Sequence, residues 1–280
     1  MKKTFTISLF ICLFFVLMSP LKTFAGFPIG KYRNVVVPTF AYYHQKDRFD
    51  DKDNVIKGAP GTGFTSYSAN LYIGYGISRR LDLIAVIPYL YQQNTIAPGN
   101  TLIDAGLGDM TIGFSYNLKN FNYIRFLSIG VSGIVPLYKS NNGISPLGLG
   151  SYGTEVKLMY CGNLPKDVAD KGYFNMEFAY RKYYSSQGPD QISFTGTVGY
   201  PITKHNQLSL DILLFRSFSS NKAFNNNIFA AHDYSFLKPQ LNFGHTFTRR
   251  FSMFVGGFYV PFGVNTGVGY GGSVLAVIKL

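Results

Sequence analysis

The sequence predicts a transmembrane antiparallel up-and-down β-barrel of about 12 strands, and three observations lead there. Apolar and polar residues alternate with a period of two along most of the chain, the repeat of a strand with two unlike faces. The connections between these stretches alternate between short and long, as the two ends of an outer-membrane barrel do. Charged residues make up 14% of the chain while 17% are aromatic. Soluble domains carry roughly 25% charge, whereas a wall facing lipid needs none.

The first element is a leader. Met1-Lys2-Lys3 precedes a largely apolar run from Phe5 to Met18, and Thr23 and Ala25 are the small residues three and one before a cut. This is the form of a secretory signal peptide, with cleavage expected after Ala25 and the barrel over 26–280. The run is shorter than the ~20 residues a membrane-spanning helix requires. The leader carries three lysines and no acid, so the net charge of +12 falls to +9 on cleavage. Cys12 leaves with it. Cys161 is then alone, and no internal disulfide is expected.

Strands are expected near 34–44, 64–78, 82–92, 107–118, 123–138, 151–161, 173–184, 190–201, 206–217, 233–247, 250–262 and 267–280. The second sets Tyr67, Ala69, Leu71, Ile73 and Tyr75 against Ser66, Ser68, Asn70, Gly74 and Gly76. The third is apolar on both faces, so its pattern does not fix its facing. The fourth, GLGDMTIGFSYNL, sets Met110, Ile112, Phe114, Tyr116 and Leu118 against Asp109, Thr111, Ser115 and Asn117. In lipid a sheet spans only as a closed barrel, apolar outside. Asp109 on the lumen side escapes the cost of a charge in lipid, on the order of 2 kcal/mol. A soluble β-sandwich would bury the same apolar face in a core; the alternating loop lengths argue against it. The fifth alternates Leu127, Ile129, Val131 with Ser128, Gly130, Ser132. The ninth alternates Leu208, Leu210, Ile212, Leu214 with Gln207, Ser209, Asp211. The eleventh repeats the ambiguity of the third. The twelfth alternates to its end at Leu280, with Tyr270, Gly272, Val274, Ala276 and Ile278 on one face.

Long outer connections are expected near 45–63, 93–106, 139–150 and 218–232, and short inner ones near 79–81, 119–122, 203–205 and 248–249. The 185–189 and 263–266 connections are short for the outer side, and 162–172 is long for the inner. Three inner turns repeat one form: YGISRRLDL, YPITKHNQL and HTFTRRFSM each carry Ser or Thr, then two basic residues. These bases read as solvated turn residues, with contact to anionic lipid as the alternative. Scattered charge on an exported chain does not suit nucleic acid.

GLGDMTIGFSYNL resembles the Gly-x-Gly-Asp strand of the outer-membrane barrels named for the meta-pathway of phenol degradation. The ending PFGVNTGVGYGGSVLAVIKL resembles that family's closing hairpin, with Asn265-Thr266-Gly267 before the last strand. The resemblance implies a transport role, for hydrophobic or aromatic compounds. Many such barrels end in an aromatic residue, whereas this chain ends in Leu280.

Charge with a function should face the lumen. In the sixth strand Glu155, Lys157 and Cys161 share a face; in the seventh Asn175, Glu177 and Arg181 do. Folding the hairpin about residue 167 sets Lys157 beside Glu177, with Glu155 and Arg181 near. Asp211 and the face carrying Lys238, Gln240 and Asn242 are further lumen candidates, as is Asp109. Such ladders either define selectivity or fill a narrow lumen as a structural network. A hydrolase would need a nucleophile, a base and an orienting group together. The histidines 44, 205, 232 and 245 lack that spacing, His232-Asp233 being suggestive only as a pair, and no Gly-x-Ser-x-Gly occurs. No catalytic, metal or cofactor site is expected. HQKDRFDDKDNVIKG (44–58) departs from a calcium loop in its Gly and Glu positions. GAPGTG (58–63) lacks the Lys-Ser/Thr of a P-loop. In SSNKAFNNNIFAAHD (219–233), Ile228 and Phe229 could fold into the mouth as a gate.

The expected function is a monomeric outer-membrane channel passing small solutes passively. Its partners would be outer-membrane lipid, a small-molecule solute and the barrel assembly machinery. A non-conducting receptor or structural barrel is the alternative, and a lipid hydrolase a further one.

Overall fold

The computed structural model describes residues 27–138, 146–164, 172–185, 188–223, 225–228 and 230–280. The expected leader, residues 1–25, lies outside them. Twelve antiparallel strands form the wall: β1 Asn34–Phe49, β2 Gly63–Gly76, β3 Leu81–Ala97, β4 in two segments (Asn100–Leu107 and Asp109–Phe121), β5 Arg125–Pro136 and β6 Gly153–Asn163. β7 Tyr173–Tyr183, β8 Asp190–Pro201, β9 Asn206–Phe218 and β10 Tyr234–Thr248 follow, then β11 in two segments (Phe251–Tyr259 and Phe262–Val264) and β12 Gly267–Lys279. A two-residue strand, Val55–Ile56, folds back on β1 in the first outer loop. Each wall strand pairs with the next, and β12 pairs with β1, so the sheet closes. Phe40, for example, sits between Ala69 of β2 and Val274 of β12. Closure removes both sheet edges, which lipid would leave without hydrogen bonds.

The two residue sets separate as the alternation requires. Ile112, Phe114, Tyr116 and Leu118 of β4 are exposed outward, with Val131, Leu158, Phe178, Leu210 and Val255 of other strands. Gln45, Gln92, Ser115, Asn117, Glu155, Gln207 and Asn242 are buried inside. Asn117 donates to Ser128 of the neighbouring strand at 3.2 Å, so the inner polar groups bond across the ladder. The two strands with no legible facing are settled by their neighbours. β3 turns Asp82, Leu90, Gln92 and Asn94 inward, and β11 turns Met253, Val255 and Tyr259 outward.

The repeated inner turns have one cause. Ser78 Oγ accepts from the backbone of Arg80 and Leu81 at 3.1 and 3.0 Å. Thr203 Oγ1 does the same for His205 and Asn206, and Thr248 for Arg250. The hydroxyl satisfies amides that the tight reversal leaves unpaired, while the bases between point to solvent.

Two connections differ from expectation. The 93–106 stretch is strand, not loop: β3 and β4 pair as far as Ala97 and Asn100. Gly99, at φ +79°, closes a two-residue turn, a conformation open to glycine. Its tip is exposed on both faces, Ile96, Leu102 and Ile103 together with Asn100 and Thr101, so its sequence loses the alternation that marks a strand. β11 is broken by a bulge. Its pairing with β10 jumps from Gln240–Phe258 to Leu237–Phe262, so three residues of β11, ending in Pro261, stand against two of β10, Lys238 and Pro239.

The facing of β7 gives a direct test. Cysteine at position 177 should react with a water-borne maleimide, and cysteine at 176 or 178 with a lipid-phase reagent. The reverse labelling would show the strand turned over, since a one-residue slip exchanges the faces.

Candidate functional site

Inside the barrel one side of the wall is ionic. β6 and β7 pair Glu155 with Arg181 and Met159 with Glu177. The hairpin therefore folds about 168 rather than 167, and the directly opposed pair is Glu155–Arg181. Arg181 holds Glu155 Oε2 through both Nε (2.9 Å) and Nη2 (2.5 Å). Lys157 reaches Glu155 at 3.2 Å and, diagonally, Glu177 at 2.9 Å. Arg181 Nη1 also donates to the Tyr183 hydroxyl at 3.3 Å. Two acids and two bases balance, but unequally in depth. The Glu155 side chain is 4% exposed, whereas those of Lys157, Glu177 and Arg181 are 29%, 26% and 31% exposed. Glu155 organises the cluster, and the other three present charge to the lumen.

The wall from β9 through β12 to β1 is aromatic. Phe215 stacks on Phe236 at 5.3 Å and 12°, and on Tyr234 at 5.5 Å and 16°. Lys238 Nζ lies 4.7 Å over the ring of Phe258, which stacks on Tyr43 at 6.3 Å and 12°. Glycines make room for two of these rings. A Cβ on Gly269 would stand 2.2 Å from the Tyr43 ring, and one on Gly271 would stand 2.5 Å from Phe258. Asp211 is taken up by Asn242, which donates to it at 2.7 Å and to Ser209 at 3.2 Å. Gln240 donates to Asn242 at 2.6 Å and to Ser273 at 2.9 Å.

Loops close in on both mouths. Asp109 accepts from the backbone of Leu149 and Gly150 at 2.7 and 3.3 Å and fastens the loop after β5. The Tyr138 hydroxyl, donating to Gly148, fastens the same loop. The loop after β9 enters the outer mouth as a tongue. Asn227, 1% exposed, donates at 2.8 Å to both Gln92 of β3 and the Pro146 carbonyl. Gln45 donates to the Asn226 carbonyl at 2.8 Å. Asn226 and Asn227 make this contact; of the expected gate, Ile228 is half-buried and Phe229 lies outside the described residues. At the inner mouth Ile29 N donates to Asp82 at 3.1 Å, and Phe27 meets Phe126 edge-on at 5.4 Å.

Other suggestive residues have structural roles. Asp233 pairs with Arg216 at 2.9 Å, and the His232 carbonyl accepts from Ser217 at 2.7 Å. In the 44–58 loop, Asp47 binds Lys57 at 2.8 Å and the backbone of Gly58. Asp50 binds Asn54 through both its amide and its side chain, which holds that carboxyl below the usual carboxylate range. Among the described residues no group of three or more His, Cys, Asp or Glu is placed to hold a metal.

No protein-family model matches the chain, and no curated protein matches it in sequence. Solved structures match it in shape. An outer membrane channel from Pseudomonas putida F1 superposes with a TM-score of 0.72 at 13% identity, covering 93% of this chain and 100% of that one. The NanC porin superposes with a TM-score of 0.54 at 11% identity, covering 87% and 100%. The translocator domain of the autotransporter NalP from Neisseria meningitidis gives 0.50 at 10%, covering 89% and 88%. At such identities the likeness establishes the fold, that of an outer-membrane β-barrel.

Proposed function

We propose that this barrel is a passive channel for small solutes in the outer membrane of a Gram-negative cell. The observation that carries the reading is the lumen-facing charge of Lys157, Glu177 and Arg181 on a closed wall that is apolar outside. A merely packed interior has no need to leave these side chains a quarter to a third exposed. The similarity in shape to an outer membrane channel and a porin supports it. The resemblance to the barrels named for the phenol meta-pathway adds hydrophobic or aromatic compounds as the solute class. The protein would be exported by a leader cleaved after Ala25, inserted by the barrel assembly machinery and act as a monomer without a cofactor.

Reversal potentials across a planar bilayer in asymmetric salt test this. Glu177→Gln removes a negative charge and leaves Lys157 under-balanced, so preference should move toward anions while the barrel stays folded on a heat-modifiability gel. Asp51→Asn, on a solvated outer loop, should leave preference unchanged, because salt screens it over ~8 Å. A folded barrel that never conducts at any voltage or salt would defeat the reading in favour of a non-conducting receptor or structural barrel.

A further inference from the structure

The bases of the molecule are balanced at the outer end and unbalanced at the inner one. The outer loop 44–58 sets Lys46, Arg48, Lys52 and Lys57 among Asp47, Asp50, Asp51 and Asp53. Lys182 and Arg216 pair with Asp190 and Asp233 at 3.5 and 2.9 Å. Within the lumen, Lys157 and Arg181 meet Glu177 and Glu155. The inner turns after β2, β8 and β10 instead carry Arg79-Arg80, Lys204 and Arg249-Arg250, all exposed. No ion pair joins any of these five to a described residue. Lys31 before β1 and Lys119 near the end of β4 are exposed at the same end. Among the described residues, these turns and the strand ends beside them hold one acid, Asp82, which is buried and accepts from Ile29 N.

The turns themselves do not call for this charge. Ser78, Thr203 and Thr248 hold each reversal by accepting from backbone amides, and any polar residue would serve between. Aromatic rings mark the depth. Tyr32, Phe121, Tyr123 and Phe247 are exposed at this end, a girdle of the kind that sits at the level of lipid headgroups. Lys31 Nζ lies 4.5 Å over the ring of Tyr32, and Lys119 Nζ 5.0 Å over that of Phe121. The bases recur around the ring: before β1, between β2 and β3, on β4, between β8 and β9, and between β10 and β11. A docked protein meets a rim from one side, whereas a leaflet surrounds a barrel on all sides.

We infer that the inner rim is a docking surface for the anionic phospholipid headgroups of the leaflet around it, phosphatidylglycerol being the type. Guanidinium groups donate paired hydrogen bonds to phosphate oxygens. Unpaired bases also gain from a negative surface that a zwitterionic headgroup does not provide. The inference stands apart from conduction, since a barrel that passes nothing would hold the same lipid.

Spin-labelled lipids test it. The refolded barrel is placed in phosphatidylcholine vesicles with traces of labelled phosphatidylglycerol or phosphatidylcholine, and the immobilised fraction of each label gives its association with the wall. Phosphatidylglycerol should associate about threefold more strongly, and the preference should fall as salt rises. Arg79→Gln/Arg80→Gln/Arg249→Gln/Arg250→Gln, which leaves the turn hydroxyls in place, should bring the preference close to one. The corresponding four Arg→Lys changes should keep it, as should Lys46→Gln/Lys52→Gln at the outer end. Gel mobility confirms that each variant is folded. Should the fourfold Gln variant fail to fold, Arg79→Gln/Arg80→Gln and Arg249→Gln/Arg250→Gln taken separately should each remove part of the preference. A preference undiminished by the Gln changes, or lost equally in the outer variant, overturns the inference. Loss in inorganic phosphate but not in chloride of equal ionic strength would make the turns small-anion sites. Equal association of the two lipids with the wild-type barrel would leave the rim to an acidic protein. Either result overturns the lipid surface.

Discussion

Glu155→Ala should lower the stability of the refolded barrel by about 3 kcal/mol, shown as a fall in the denaturant midpoint in lipid vesicles. Removing one partner of a buried pair costs ~3–5 kcal/mol because the other charge is stranded. Here Arg181, at 2.5 Å, loses its carboxylate, while Lys157, at 3.2 Å, keeps Glu177 at 2.9 Å. Both keep about a third of their side chains in lumen water, at 31% and 29%, which places the cost at the low end. Glu155→Gln should fall between wild type and Ala, since the amide oxygen still accepts from Arg181. Glu177→Gln should cost about 1 kcal/mol or less, because Glu177 is more exposed and Lys157 retains Glu155. If Glu155→Ala and Glu177→Gln lowered the midpoint equally, the unequal depth assigned to the two acids would be wrong.

Asn227→Ala should open the outer mouth, raising the time-averaged conductance. Its side chain makes two hydrogen bonds that hold the tongue, to Gln92 and to the Pro146 carbonyl. At about 1 kcal/mol net each, their loss shifts the closed-to-open ratio of the tongue by roughly 30-fold. The opposite manipulation gives the control. With Cys161→Ser as background, a Gln92→Cys/Asn227→Cys disulfide should hold the tongue in and depress conductance, and a reductant should restore it. Conductance unmoved in both arms would show that ions pass elsewhere than beneath the tongue.

The sequence was informative wherever a statement concerned one strand or one hairpin. Period-two alternation requires no knowledge of neighbours, which is why the outward set Ile112, Phe114, Tyr116, Leu118 and the inward Ser115 and Asn117 of β4 were legible. The Ser or Thr of the inner turns acts on amides two or three residues away, so the turn repeat was legible too. The β6–β7 cluster sits in a single hairpin, and parity alone gathered its four charges on one face. Its register differs from the expected one by two residues, which keeps the facing but sets Lys157 opposite Ala179, because the connection is long and its midpoint is not marked by a turn residue. Where the two faces carry like residues, the pattern fails. The tip of the hairpin around Gly99 is exposed on both sides and shows no alternation, and β3 and β11 are apolar on both sides over much of their length, so only their neighbours settle their facing.

The lumen's shape was set by contacts that no periodicity encodes. Gln92 and Asn227 are 135 residues apart, and Gln45 and the Asn226 carbonyl 181 apart. The triple asparagine at 225–227 is the visible signal of these contacts, while the expected gate of Ile228 and Phe229 falls partly outside the described residues. Asp109 was legible as an inward acid, but its engagement by Leu149 and Gly150 depended on a loop folding back onto it.

By itself, then, the sequence determined the closed, twelve-stranded wall and, on the strands that alternate, which side chains face lipid, because a bilayer imposes a local rule on every residue that crosses it: backbone groups paired, outer face apolar. What stands opposite what across the lumen, and which loops enter it, only the tertiary structure decided. Those neighbours follow from closure, register and strand tilt summed around the whole ring, and a two-residue repeat holds no information about that sum.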